Sequence, residues 1–435
     1  MRPCWAIAVA ACTLTLGGPV SARTTIEFWH AMSGANTDRV AALAADFNKS
    51  QDAVEVVATF KGSYAEALTA GIAAFRAGNP PAILQVQEVA TASFMAAKGA
   101  IRPVEDVMRE AGASFDAKSY VAAVTGYYTA PDGRMLSFPF NSSTPVLYYN
   151  KDLLRTAGLD PAKPPATWEE VGEVTAKLRE AGVPCGYTTT WMSWIQLENM
   201  SARHGQDFAT ENNGFGGSSA TLRITEPLFV KHIGQLAEWQ KTKQFDYGGR
   251  TNKATPKFVS GECALFTESS AGYANVKSGA KFDWGIAPLP YWASEVKEPS
   301  NTIIGGASLW VMAGLSPETY KGVAAFFTYL SSPEVQARWS TETGYLPITP
   351  AAYDYIRASG FYAQNPGTET AVLQMNPNEP ARIKGIRLGN FLQIRDIIDE
   401  ELEKVWAGQA TAEAALQAAA ERSDAELRKF QAANP

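Results

Sequence analysis

A chain of 435 residues is too long for one ordinary core, and two domains of roughly 150 to 250 residues are expected. Hydrophobic residues at 46% against 19% charged exclude a disordered chain. The formal charge of -6 argues against nucleic acid as a partner, because an acidic surface repels a phosphate backbone.

The chain opens like an export signal. Arg2 supplies a positive start, Trp5 to Leu16 an apolar run and Val20-Ser21-Ala22 a small-residue cleavage site, so cutting after Ala22 and a periplasmic mature chain from Arg23 are expected. Val9-Ala10-Ala11-Cys12 loosely resembles a lipidation site, but the apolar segment before Cys12 is short, and cleavage is the expectation. Beyond it no apolar run reaches the roughly 18 residues of a membrane span, so the mature protein is expected to be soluble. Cys4 and Cys12 leave with the signal. Cys185 and Cys263 then remain in an oxidising compartment, where they either bridge or stay as two buried thiols.

Strand and helix patterns then alternate, the mark of an α/β fold. Thr25 to Phe28 reads as a strand, and Val40, Leu43, Ala44 and Phe47 mark one face of a helix. Val54 to Phe60 is a second strand, Ala65 to Arg76 a helix and Ile83 to Val86 a third strand, giving a βαβαβ lobe. A crossing is expected near Pro139 to Ser143, and a second lobe opens with the strand at Val146 to Tyr149. Pro164-Pro165 stops the chain before Thr167, which with Glu170 forms a capping box. A return to the first lobe is expected around Ile286 to Val311, and another crossing near Thr343 to Pro347. Leu416, Ala420, Leu427 and Phe430 mark one face of a C-terminal amphipathic helix. The expected lobes are thus 23–140 plus about 286–338, and 141–285 plus about 339–435.

The run from Leu147 to Val171 resembles the periplasmic solute-binding proteins that feed ABC importers. More specifically, the segments TTIEFWHAM, YAEALTAGIAAFRAGNPPAILQVQEV, PFNSSTPVLYYNKD, WIQLENMSA, IIGGASLWVM, TGYLPIT and GIRLGNFLQIR resemble the sn-glycerol-3-phosphate-binding members. The resemblance implies a two-lobed type II binding-protein fold, each lobe a β-sheet flanked by helices. It also implies a monomer that closes on glycerol-3-phosphate, or on a glycerophosphodiester such as glycerophosphocholine. The cargo would then pass to an inner-membrane permease with ATPase subunits, without a cofactor or metal.

A metal-free site holds a phosphate dianion with hydroxyls, backbone amides and an arginine. The family positions map onto Tyr64, Glu88, Ser143, Ser269, Gly306, Tyr345 and Arg395. In this reading Ser143, Ser269, Gly306 and Arg395 take the phosphate, with Arg387 as the fallback cation. Glu88 accepts from the glycerol hydroxyls, and Tyr64 and Tyr345 pack against its carbons. Serines in turns, a glycine pair in a strand and single arginines more often have purely structural roles. Ser270, Trp29 and the pair Trp191 and Trp194, three apart as on one helix face, are further candidates for the ligand wall. Glu268 departs from the expected pattern beside Ser269, so it is expected to point away from the phosphate or to be offset by an arginine.

Enzyme readings find little support. The three histidines, His30, His204 and His232, show no metal-ligand spacing, no GxSxG or Walker A motif occurs, and Ser278 to Lys281 is a chance SxxK match. A glycerophosphodiesterase is the best enzyme alternative, and a neutral-sugar-binding protein of the same fold is the nearer rival.

Overall fold

In the computed structural model, residues 23–375 and 382–434 are described. The proposed signal and its cleavage site therefore lie outside the described residues.

Strand β1 (Thr24–His30), helix α1 (Ala35–Ser50), β2 (Val54–Phe60), helix α2 (Tyr64–Arg76) and β3 (Ile83–Gln87) form the opening βαβαβ unit, with β1 parallel to both β2 and β3. Val40, Leu43, Ala44 and Phe47 of α1 are all buried, as the helical spacing of these apolar residues requires. Helix α2 starts on a capping box in which Ser63 and Glu66 satisfy each other's amides. The short β4 (Ile101–Arg102) and β5 (Phe138–Ser143) complete this sheet together with β10 (Gly305–Met312), which runs antiparallel to β3, β4 and β5.

The second sheet has four strands. Its order is β7 (Cys185–Thr189), β8 (Cys263–Ser269), β6 (Pro145–Asn150) and β9 (Trp284–Pro288). Only Thr144 separates β5 in one sheet from β6 in the other, so the first crossing lies at Thr144 and Asn141 to Ser143 belong to the first sheet. The return also falls later than the sequence reading placed it. Strand β9 pairs with β6 over Val146↔Pro288 to Asn150↔Trp284, which keeps Ile286 in the second sheet. An apolar run alone does not reveal which edge it will join.

One apolar cluster runs from the first sheet, through Phe28, Phe138 and Val311, to Tyr148, Phe258 and Phe266 on one face of the second. The opposite face of the second sheet carries Leu147 and Leu265, covered by the helices Trp168–Glu180 and Phe391–Trp406. Thr167 and Glu170 form the expected capping box at the start of the former. The C-terminal helix Ala412–Ala433 buries Leu416, Ala420 and Leu427 along that second core. Cys185 and Cys263 face each other in the parallel register of β7 and β8 and are joined as a disulfide across 78 residues of sequence.

Candidate ligand-binding site between the lobes

Three chain segments meet where the two sheets adjoin. Ser143 and Ser142, at the end of β5, pair with Gly305 and Gly306 of β10. Ser270 N–H donates to Thr144 O at 2.9 Å, and Leu346 N–H donates to Ser142 O at 2.8 Å. The ends of β5, β8 and β10 and the crossing at Gly344 to Leu346 are therefore bound into one junction. Gly306 has φ +106°, and a Cβ there would lie 1.9 Å from Asn141 O, so the junction excludes any side chain at this position. A register irregularity follows between Ala307 and Ser308.

Tyr64 and Tyr345 come together on the first-lobe side. Asn141 Nδ2 donates to the Tyr64 hydroxyl at 3.1 Å, and Gln85 Nε2 holds the Asn141 carbonyl at 2.8 Å. The Tyr345 ring stacks on Trp339 at 5.7 Å, and Trp339 in turn stacks on Phe140 at 4.7 Å, which fixes the phenol's direction. Burial pushes the Tyr345 phenol up to about 12 and that of Tyr64 well above the ordinary tyrosine value, so both are neutral donors at physiological pH.

The charged part of the site is a three-membered cluster. Arg395 Nε and Nη2 form a fork on Glu198 at 2.8 and 2.7 Å, and Nη2 also donates to Glu88 Oε1 at 2.8 Å. Glu88 lies in a short turn after β3 in the first lobe, while Glu198 and Arg395 lie in the second, so this pair spans the lobes. Burial lifts Glu88 to about 7 although the guanidinium pulls it down, and the two carboxylates hold Arg395 charged against its own desolvation. The sequence reading gave Arg395 to the phosphate and Glu88 to the glycerol, at opposite ends of a ligand. The structure instead places the two side chains in direct contact.

Several buried polar atoms here have no hydrogen-bond partner among the described residues: Glu88 Oε2, Ser142 Oγ and Trp194 Nε1. The Trp194 indole lies against Gly305, within 2.6 Å of where a Cβ would stand. A buried polar group left unpaired costs about 1–3 kcal/mol, so each of these atoms calls for a partner such as water or a ligand.

A family profile described as bacterial extracellular solute-binding protein matches residues 42–370. The chain belongs to this family. It is 52% identical over 420 residues to the sn-glycerol-3-phosphate-binding periplasmic protein UgpB of Escherichia coli K12, covering 96% of each chain. It is 51% identical over 426 residues to the protein of the same name from Yersinia pseudotuberculosis, covering 98% of this chain and 97% of that one. Among solved structures it resembles UgpB from Mycobacterium tuberculosis in complex with glycerophosphocholine, with TM-score 0.76, 23% identity and coverage of 93% and 98%. It also resembles the GacH receptor of Streptomyces glaucescens, with TM-score 0.77, 20% identity and coverage of 94% and 99%. These neighbours share the two-lobed fold of the family.

Other expected positions in this family member take different roles. Arg387 donates through Nη2 to Gly126 O and Tyr127 O at 2.7 and 2.6 Å and lies over the Phe215 ring, so it ties the lobes together and is not a free cation. Trp29 packs in a satellite cluster with Leu68 and Phe75, and Lys61 Nζ covers its ring at 3.8 Å. Trp191 is not on a helix face with Trp194: it has φ 44° and precedes the π-helix Trp194–Asn199, although both indoles pack in one small cluster. The Ser269 hydroxyl accepts the Ala271 N–H at 3.1 Å as an N-cap, which leaves its own O–H free to donate. Among the described residues Glu268 has no arginine partner. Its oxygens accept from Thr255 Oγ1 at 3.1 Å and Ser269 N at 2.7 Å, and burial lifts its carboxyl to about 7.

Glu198 and Asn141 escaped the sequence reading. Glu198 sits four residues after Trp194 in the π-helix, between Leu197 and Asn199, where the mixed polar and apolar sequence carries no signal of its own. Among the described residues no group of three or more His, Cys, Asp or Glu side chains could hold a metal ion.

Proposed function

We propose that the protein captures sn-glycerol-3-phosphate, or a glycerophosphodiester such as glycerophosphocholine, between its lobes in the periplasm. It binds without turnover and delivers the cargo to an inner-membrane ABC permease with ATPase subunits. The relatives named above support the cargo. What supports the reading is that Ser143, Ser269, Gly306 and Tyr345 lie at the strand ends and crossing between the two sheets, with Tyr64 bonded to Asn141 of β5 and Arg395 bonded to Glu88 from the other lobe. Ser143 and Ser269 donate to the phosphate, Tyr64 and Tyr345 flank the glycerol carbons, and Arg395 contributes its remaining guanidinium nitrogen, Nη1. Because Glu88 lies on the first lobe and Arg395 on the second, only a closed form completes the site, and ligand shifts the population toward closure.

A neutral sugar is the second reading, and one observation favours it: Arg395 already faces two carboxylates, which leaves little positive charge for an anion. Tryptophan fluorescence separates the two, since Trp194 stands at the junction. Titration of the refolded, ligand-free mature chain is expected to saturate with sn-glycerol-3-phosphate or glycerophosphocholine and not with maltose. Saturation by maltose alone would return the protein to the sugar binders of its fold.

A further inference from the structure

Carboxylates outnumber cations at the interlobe junction. Glu88, Glu198 and Glu268 are 2%, 2% and 3% exposed, and among the described residues Arg395 is the one cation in contact with any of them. Glu268 belongs to this set by position, directly before Ser269 in β8. Burial pushes the Tyr345 phenol up and both Glu268 and Glu88 add to the rise, so both carboxylates lie near that ring. A phosphate monoester above its second pKa of about 6 is a dianion, and here it meets three carboxylates against one guanidinium. A diester carries less negative charge, and a cation at its far end turns the surplus of carboxylates into an attraction.

Trp191 offers that far end a seat. Its indole N–H donates to Glu268 together with Thr190, Thr255 and the Ser269 amide, which fixes the edge of the ring against the carboxylate. An indole polarised in this way presents an electron-rich face, and tryptophan is the best aromatic partner for a cation. Trp191 is half-buried and has φ 44°, a left-handed backbone uncommon for a bulky residue, held where its amide donates to Thr251 O at 2.9 Å. Trp194 packs in the same small cluster and is 5% exposed, yet its Nε1 has no partner among the described residues. That N–H can donate to a phosphodiester oxygen. One indole thus offers a donor to an anion and its neighbour a face to a cation. The cation is further defined by Glu268 itself, whose four neutral donors already fill the roughly four lone-pair sites of a carboxylate. A primary ammonium would leave its own N–H groups unpaired there, whereas a quaternary one has none to satisfy.

We propose that Glu268 and Trp191 make the interlobe site selective for a glycerophosphodiester whose second alcohol carries a quaternary ammonium, seated on the Trp191 face beside Glu268. This deepens the interlobe reading given above and rests on it. Glu268 then chooses the cargo in two ways, by repelling the dianionic monoester and by drawing in the cationic head. Because Glu268 departs from the expected family pattern beside Ser269, the selectivity belongs to this chain's own residues.

Calorimetric titration of the ligand-free mature chain at pH 8, where Glu88 and Glu268 with values of about 7 are ionised, tests the selectivity. The ligands are glycerophosphocholine, glycerophosphoethanolamine, glycerophosphoglycerol with its uncharged head, and sn-glycerol-3-phosphate. Glycerophosphocholine is expected to bind at least tenfold tighter than glycerophosphoglycerol, and at least threefold tighter than glycerophosphoethanolamine or the monoester, a comparison that needs only the wild-type chain. Glu268→Gln and Trp191→Leu are each expected to cut the preference for choline over the glycerol head at least fivefold, and Glu268→Gln to narrow the gap to the monoester. Equal affinity of glycerophosphocholine and either other diester, tighter binding of the monoester, or a choline preference unchanged in either folded variant would overturn the proposal. Absence of binding for all four ligands would instead strike the proposed cargo, and the selectivity with it.

Discussion

At Arg395 one guanidinium answers two buried carboxylates, and the fork on Glu198 fixes its plane while Glu88 reaches it from the other lobe. Removing the cation leaves both acids uncompensated, so Arg395→Ala is expected to cost about 3–5 kcal/mol of stability in addition to ligand binding. Arg395→Lys keeps the charge but loses the planar fork, and calorimetry is expected to show glycerol-3-phosphate affinity reduced about 10- to 100-fold. Unchanged affinity in this variant would remove Arg395 from the site. Burial raises the Glu268 carboxyl, against the hydrogen bonds it accepts from Thr190, Ser269, Thr255 and Trp191. Its folded value of about 7 exceeds the ordinary 4.5, so the folded chain keeps a proton that the unfolded chain has lost. That contribution is fully present below the ordinary value and fades as pH rises through about 7. Thermal unfolding from pH 5 to 8 is expected to show a fall in melting temperature that is smaller in Glu268→Gln. Equal slopes in the two proteins would contradict this.

Single elements were read from sequence where side-chain period and capping agree. Strand β2 and helix α1 carry patterns that no other element could satisfy, and the Thr167 to Glu170 box fixes the start of its helix locally. The converging family positions were legible only through resemblance, because nothing in the spacing of Tyr64, Ser269 and Tyr345 shows that they meet. Glu198 stayed hidden because the π-helix changes the face on which a side chain emerges, and the true edge of the second lobe because strand pairing is a long-range property. Strand β10 holds the strictest local demand. At Gly306 a Cβ would overlap Asn141 O, so Gly306→Ala is expected to destabilise the chain by about 1–3 kcal/mol in denaturant unfolding, with loss of ligand binding. A fully stable, binding-competent alanine variant would show that the junction relaxes freely.

Across the whole molecule, the polar ties that join the lobes include Arg395 to Glu88, Arg387 to the carbonyls of Gly126 and Tyr127, Tyr127 Oη to Ile386 O, Asn390 N to Ser93 Oγ, Val121 N to Ile348 O and Leu346 N to Ser142 O. Arg387 caps the end of the helix Ala122–Tyr128, where carbonyls favour a cation. Arg387→Ala is expected to favour the open form, raising the ligand-free radius of gyration in small-angle scattering and weakening glycerol-3-phosphate binding several-fold although it lies outside the site. A radius identical to the wild-type value would mean that this tie does not set the opening equilibrium. The most direct test of the interlobe site is a crystal structure of the mature chain with sn-glycerol-3-phosphate. The phosphate is predicted to lie within hydrogen-bonding distance of Ser143, Ser269 and Arg395, with the glycerol between Tyr64 and Tyr345; a phosphate bound elsewhere, with this junction filled only by water, would contradict the assignment.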